Sequence, residues 1–131
     1  MSIFNNHSAE ILIVLFFIFT YFFSVVEKLA DWKGTIAYYT KHFEKTILQK
    51  MIPLLLLKVL IFEISTVILL TIGLYFLVTE DVLIMAKVGL EISAITLLMF
   101  LVGQRLAKDY PGAMNITVYF ILNVIGIYLL T

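Results

Sequence analysis

The stretch Ile52–Val78, IPLLLLKVLIFEISTVILLTIGLYFLV, decides the fold. At 1.5 Å per residue it reaches about 40 Å as a helix, enough to cross a hydrocarbon core of about 30 Å. Two charges interrupt it, Lys58 and Glu63. A carboxylate near mid-membrane costs about 3 kcal/mol on insertion scales. Glu63 is therefore expected to face protein or water, or to serve a function, and the other apolar runs read as the walls that give it a place to point.

Composition fixes the class. Of the 131 residues, 63% are apolar and 14% charged, and the mean hydropathy is +1.09. Soluble domains are nearer 45–50% apolar and about 25% charged, so this chain reads as an integral membrane protein of one domain. Its net charge is zero, which points to no nucleic-acid partner. With no cysteine, disulfides, thiol redox chemistry and thiolate metal sites are excluded within the chain. MSIFNNHSAE has no Lys or Arg ahead of its apolar run, so that run is expected to remain as an anchor and not to be cleaved.

Four spans are predicted, over residues 9–26, 52–78, 82–102 and 113–130. Between the first two lies EKLADWKGTIAYYTKHFEKTILQK, Glu27–Lys50. Ile36, Tyr39, Phe43 and Ile47 recur there at helical spacing, which predicts a short amphipathic helix over 35–49 lying in the interface. Trp32, Tyr38 and Tyr39 suit headgroup level. This helix reads either as a surface anchor or as a lid over a site between the spans. Thr79-Glu80-Asp81 reads as a tight turn. GQRLAKDYPGAMN, Gly103–Asn115, reads as a polar turn broken at Pro111-Gly112. Short links imply an all-α, up-down four-helix bundle. Lys28, Lys33, Lys41, Lys45 and Lys50 in the first link, with Arg105 and Lys108 in the third, place both links in the cytoplasm and both termini outside a bacterial-type inner membrane.

Besides Glu10 at the very start of the first span, four charges lie within spans: Lys58 and Glu63 in the second, Lys87 and Glu91 in the third. Antiparallel neighbours would hold the two carboxylates at similar depth, and two Lys balance two Glu. One reading is a neutral internal network that fixes helix register. The other is a site that handles protons or a ligand. His7 and His42 read as interface residues. No metal-binding constellation, phosphate loop or nucleophilic triad is present.

EKLADWKGTIAYYTKHF after the first span, Pro53 opening the second, Glu63 within it and GQRLAKDYPGA before the fourth resemble the DoxX family of small four-helix membrane proteins. The resemblance runs over nearly the whole chain. Where that family commonly has a glycine ahead of a Lys-Leu pair, this chain reads SVVEKL. The family takes its name from a membrane subunit of a thiosulfate:quinone oxidoreductase, and relatives are described as accessory subunits of membrane redox systems or as quinone-linked oxidoreductases. The resemblance implies roles for Lys28, Asp31, Gly34, Glu63, Arg105, Lys108, Asp109, Tyr110 and Gly112. Apart from Glu63, the same residues also read as caps and turns, with Lys108 and Asp109 pairing with Asp31 and Lys33.

Three functions follow. The first is a non-catalytic accessory or assembly subunit of a membrane redox complex, with the bilayer and other membrane subunits as partners. The second is a quinone-linked oxidoreductase subunit, the redox chemistry belonging to the quinone or to a partner chain. The third is a small transporter or proton pathway through Glu63 and Glu91.

Overall fold

The computed structural model describes residues 4–131, with side chains from His7 onward, and no strand occurs among them. Five helices follow in order: α1 Phe4–Ala30, α2 Trp32–His42, α3 Ile52–Thr79, α4 Ile84–Leu106 and α5 Tyr110–Leu129. A 3-10 turn, Gln49–Met51, leads into α3. All but α2 are long and apolar enough to cross a membrane. The protein is a multi-pass membrane helix bundle.

Helix ends follow local chemistry more closely than the hydropathy runs do. Asp31 accepts a hydrogen bond from the Gly34 N–H at 3.0 Å and so starts α2 at Trp32, three residues ahead of Thr35. The expected helix over 35–49 is corrected at its other end as well. The Phe43 N–H bonds Tyr39 O and the Glu44 N–H bonds Lys41 O, a tightened last turn, and Lys45 then takes the left-handed conformation (φ 68°). Phe43 and Ile47 consequently lie beyond the helix, and Ile47 is 81% exposed. Asp109 repeats the Asp31 device: its carboxylate accepts from the Gly112 N–H at 3.0 Å. Pro111 therefore sits in the first turn of α5, where its missing N–H costs nothing. It opens this span; it does not break a loop. Gly103 to Leu106 belong to α4, and Lys108 (φ 58°) forms the left-handed corner between the two helices. Asp31→Ala and Asp109→Ala are each expected to cost about 1 kcal/mol, with Asn at either position keeping most of it. Denaturant titration in detergent checks this.

The core lies between α1, α3, α4 and α5. Val14, Phe17 and Tyr21 of α1 meet Leu70 and Leu77 of α3 and Ala86, Leu90 and Leu97 of α4. Close approach rests on glycine. A Cβ at Gly73 would stand 2.5 Å from Cα of Ala86, and one at Gly126 would stand 2.7 Å from Cδ1 of Leu90 and 2.9 Å from Cγ2 of Ile13. Small residues let helix backbones approach in lipid, where packing replaces the hydrophobic drive. Most polar core groups find partners inside the bundle, since lipid offers none, although Asn123 Oδ1 is buried without one. Tyr21 Oη lies 2.9 Å from Ser93 Oγ, Asn123 Nδ2 donates to Leu90 O at 2.8 Å, and Thr66 and Thr96 bond carbonyls one turn back. At the opposite end from the first link, the His7 ring contacts Glu10 at 3.1 Å and the Asp81 carboxylate, tying the start of α1 to the α3–α4 turn.

Candidate functional site

Glu63 lies eleven residues into α3, about 16 Å along the helix, and is only 1% exposed. Its counter-ion comes from α1. Lys28 Nζ stands 2.9 Å from Glu63 Oε1. Ser24 completes the triad: it accepts from Lys28 Nζ at 2.6 Å and donates to Glu63 Oε2 at 2.7 Å. Lys28 and Ser24 are one helical turn apart, so one helix face presents both. Lys28 is near the end of α1, but side chains on a helix lean toward its N-terminus. Its ammonium is thereby carried inward and not out to the headgroups, and only 7% of the residue is exposed. The Lys28–Oε1 contact is ionic and lacks hydrogen-bond geometry, so Oε1 retains an acceptor position.

The expected four-charge network does not form within one copy. Glu91 and Lys58 are exposed and Lys87 is half-buried. Only Glu63 turns inward, because the buried stripe of α3 runs Leu56, Leu60, Glu63, Thr66, Leu70, whereas Glu91 falls opposite the stripe Ala86, Leu90, Ser93, Leu97 of α4. Glu63 and Glu91 therefore face no common cavity. Among the positions implied by the resemblance, Lys28 joins Glu63, while Asp31 and Asp109 cap helices next to Gly34 and Gly112. Asp109 also stands 3.4 Å from His42 Nε2, not beside Lys33. Arg105 lies over the Tyr110 ring, 5.2 Å from its centroid, a surface contact at the α4–α5 corner. Lys108 shapes that corner through its backbone.

Beside the ion pair is a cavity of about 440 Å³. The first half of α3 (Leu55, Leu56, Val59) and the second half of α4 (Met99, Phe100, Gly103) wall it, and Tyr39 of α2 with Phe43 and Leu48 of the link cover it. The walls are apolar. The polar residues are few: Lys28, Tyr39, Gln104 and Lys58. The Lys28 ammonium also lies 6.0 Å from the Phe100 ring centroid. Burial pushes the Tyr39 phenol above its ordinary pKa, and Tyr38, Glu63 and Glu27 add to the shift. Tyr39 therefore stays protonated near neutral pH and is a hydrogen-bond donor. Gln104 Oε1 is buried without a partner.

Reasoning from residues alone singled out Glu63 and the Tyr38–Tyr39 helix but missed Ser24, Lys28 and Gln104. The signal was present. Val14, Phe17, Tyr21, Ser24 and Lys28 recur at spacings of three and four, so the buried stripe of the first span continues past the apolar run. No family model, curated protein or solved structure matches the chain.

Proposed function

We propose that this protein is a DoxX-like, up-down four-helix membrane protein that holds a small apolar molecule with a polar head, of the quinone class, as an accessory subunit of a membrane redox complex. The observation that carries this is the apolar cavity of about 440 Å³ whose lining includes Lys28, the buried counter-ion of Glu63. Ligand pockets are typically apolar concavities of about 300–1,000 Å³ with a few placed polar groups. A quinone needs apolar walls for its ring and tail and donors for its carbonyl oxygens. Lys28, Tyr39, Gln104 and Lys58 are donors of that kind. Glu63 holds the Lys28 ammonium at the cavity and neutralises it, which suits a neutral ligand better than an anionic one.

In this reading α2 lies in the cytoplasmic interface as a lid, with Trp32 and Tyr38 at headgroup level. The basic first and third links face the cytoplasm of a bacterial-type inner membrane, and both termini lie outside. Electrons come from or pass to a partner chain, since a chain without cysteine offers no thiol couple.

The test is titration of the purified protein with a short-chain quinone by calorimetry. Met99 lines the cavity, and Met99→Trp is expected to weaken binding at least about tenfold, roughly 1.4 kcal/mol, by filling it. Glu91→Gln, which is not among the residues lining the cavity, is expected to leave affinity unchanged. Equal affinity in the wild type and Met99→Trp would remove the cavity as the binding site.

A further inference from the structure

The outward face of α4 carries Ile84, Val88, Glu91, Ile95, Leu98 and Val102, at spacings of four, three, four, three and four. Ile84, Ile95, Leu98 and Val102 are 57%, 49%, 46% and 57% exposed, and Glu91, in the middle of the stripe, is exposed as well. Similar apolar stripes occur on other spans, where lipid covers them without cost. The carboxylate sets this one apart. Glu91 lies seven residues into α4, about 10 Å along the helix, too deep for its short side chain to reach the headgroups. Facing lipid there would cost about 3 kcal/mol. Lys87 is one turn away on the flank of the same face. Neither residue forms an ion pair with a described residue. Lys preceding Glu by four is the less favourable order for a pair within one helix.

We propose that this face of α4 binds a second copy of the chain, with the two-fold axis along the membrane normal and the Lys87 and Glu91 pairs of both copies gathered into one neutral cluster. The face carries one cation and one anion a turn apart. A second copy supplies both counter-charges, as an isologous contact requires, whereas a partner helix of one sign would leave one charge unmatched. Residues at three-four spacing are the seam on which two parallel helices pack, and a single polar residue within such a seam fixes register and oligomer state. Ile95, Leu98 and Val102 also border the cavity, so the second copy would stand at its mouth. The proposal does not depend on what the cavity holds.

The chain contains no cysteine, so single cysteine substitutions give an unambiguous cross-linking scan in native membranes. Val88→Cys and Ile95→Cys are expected to form disulfide-linked dimers on mild oxidation. Phe19→Cys on α1 and Val118→Cys on α5, whose parent side chains are 56% and 62% exposed, are expected to remain monomeric. In the Ile95→Cys background, Glu91→Lys alone and Lys87→Glu alone are each expected to lose the cross-link. Co-expression of the two is expected to restore it as a mixed dimer. Absence of cross-linking at both α4 positions, equal cross-linking at all four positions, or failure of well-inserted charge-reversed copies to pair would each overturn the proposal. If charge reversal blocks insertion, the four-position scan decides alone.

Discussion

Lys28→Met is expected to destabilise the bundle by about 3–5 kcal/mol, the cost typical of removing one partner from a buried ion pair. The magnitude follows from the surroundings of Glu63. It is 1% exposed, with Lys28 at 2.9 Å and Ser24 at 2.7 Å as its polar contacts from α1. Once Lys28 is gone, Ser24 offers a single hydroxyl to a carboxylate far from water. Combining Lys28→Met with Glu63→Leu is expected to recover most of the loss, since a buried pair replaced by apolar residues is often neutral or better. The comparison separates the net worth of the pair from the penalty of breaking it. Unfolding in mixed detergent micelles, followed by circular dichroism, supplies both numbers. A single-variant loss of about 1 kcal/mol or less is what an exposed pair gives, and it would mean that water reaches Glu63.

The second large effect belongs to the α3–α4 contact. Gly73→Leu is expected to lower stability by about 3 kcal/mol, the upper end of overpacking costs. The obstacle is backbone, since even a Cβ at this position would stand 2.5 Å from the Ala86 Cα, so the two helices would have to part. Gly103→Ala is the informative comparison. There the added Cβ meets only the Phe43 ring, 3.3 Å away, and a ring can turn. It is expected to stay within about 1 kcal/mol of the wild type, since the ring need shift only slightly and alanine favours a helix over glycine by about 1 kcal/mol. The same unfolding assay measures both, and a Gly73 variant no worse than Gly103→Ala would contradict the close packing of α3 on α4.

The four long helices were legible because a spanning helix must satisfy its own backbone, which leaves uninterrupted apolar runs of sufficient length. Glu63 was legible because an ionisable group deep in such a run stands out. The partner of Glu63 was not. Lys28 follows the apolar run and was counted with the basic link, yet the lean of side chains along α1 returns its ammonium to the core. Glu91 points outward, against expectation, for a related reason. Depth in the membrane is readable from position along a run, but direction depends on which stripe packs, and α4 buries Ala86, Gly89, Leu90 and Ser93 on the opposite side. The ends of α2 and α5 went wrong where an aspartate cap outweighed hydropathy: Asp31 and Asp109 start their helices three residues ahead of a glycine they bond. The cavity had no sequence signature, because its lining comes from α1, α2, the link, α3 and α4 together.

These results converge on a bundle in which one buried ion pair borders one apolar cavity. The most direct measurement is native mass spectrometry of the protein purified in mild detergent from the membranes that express it, wild type beside Met99→Trp. One bound molecule of the quinone class per wild-type chain, and none on the variant, is expected. A wild-type chain that carries no such molecule, or a variant that carries it equally well, would contradict the account.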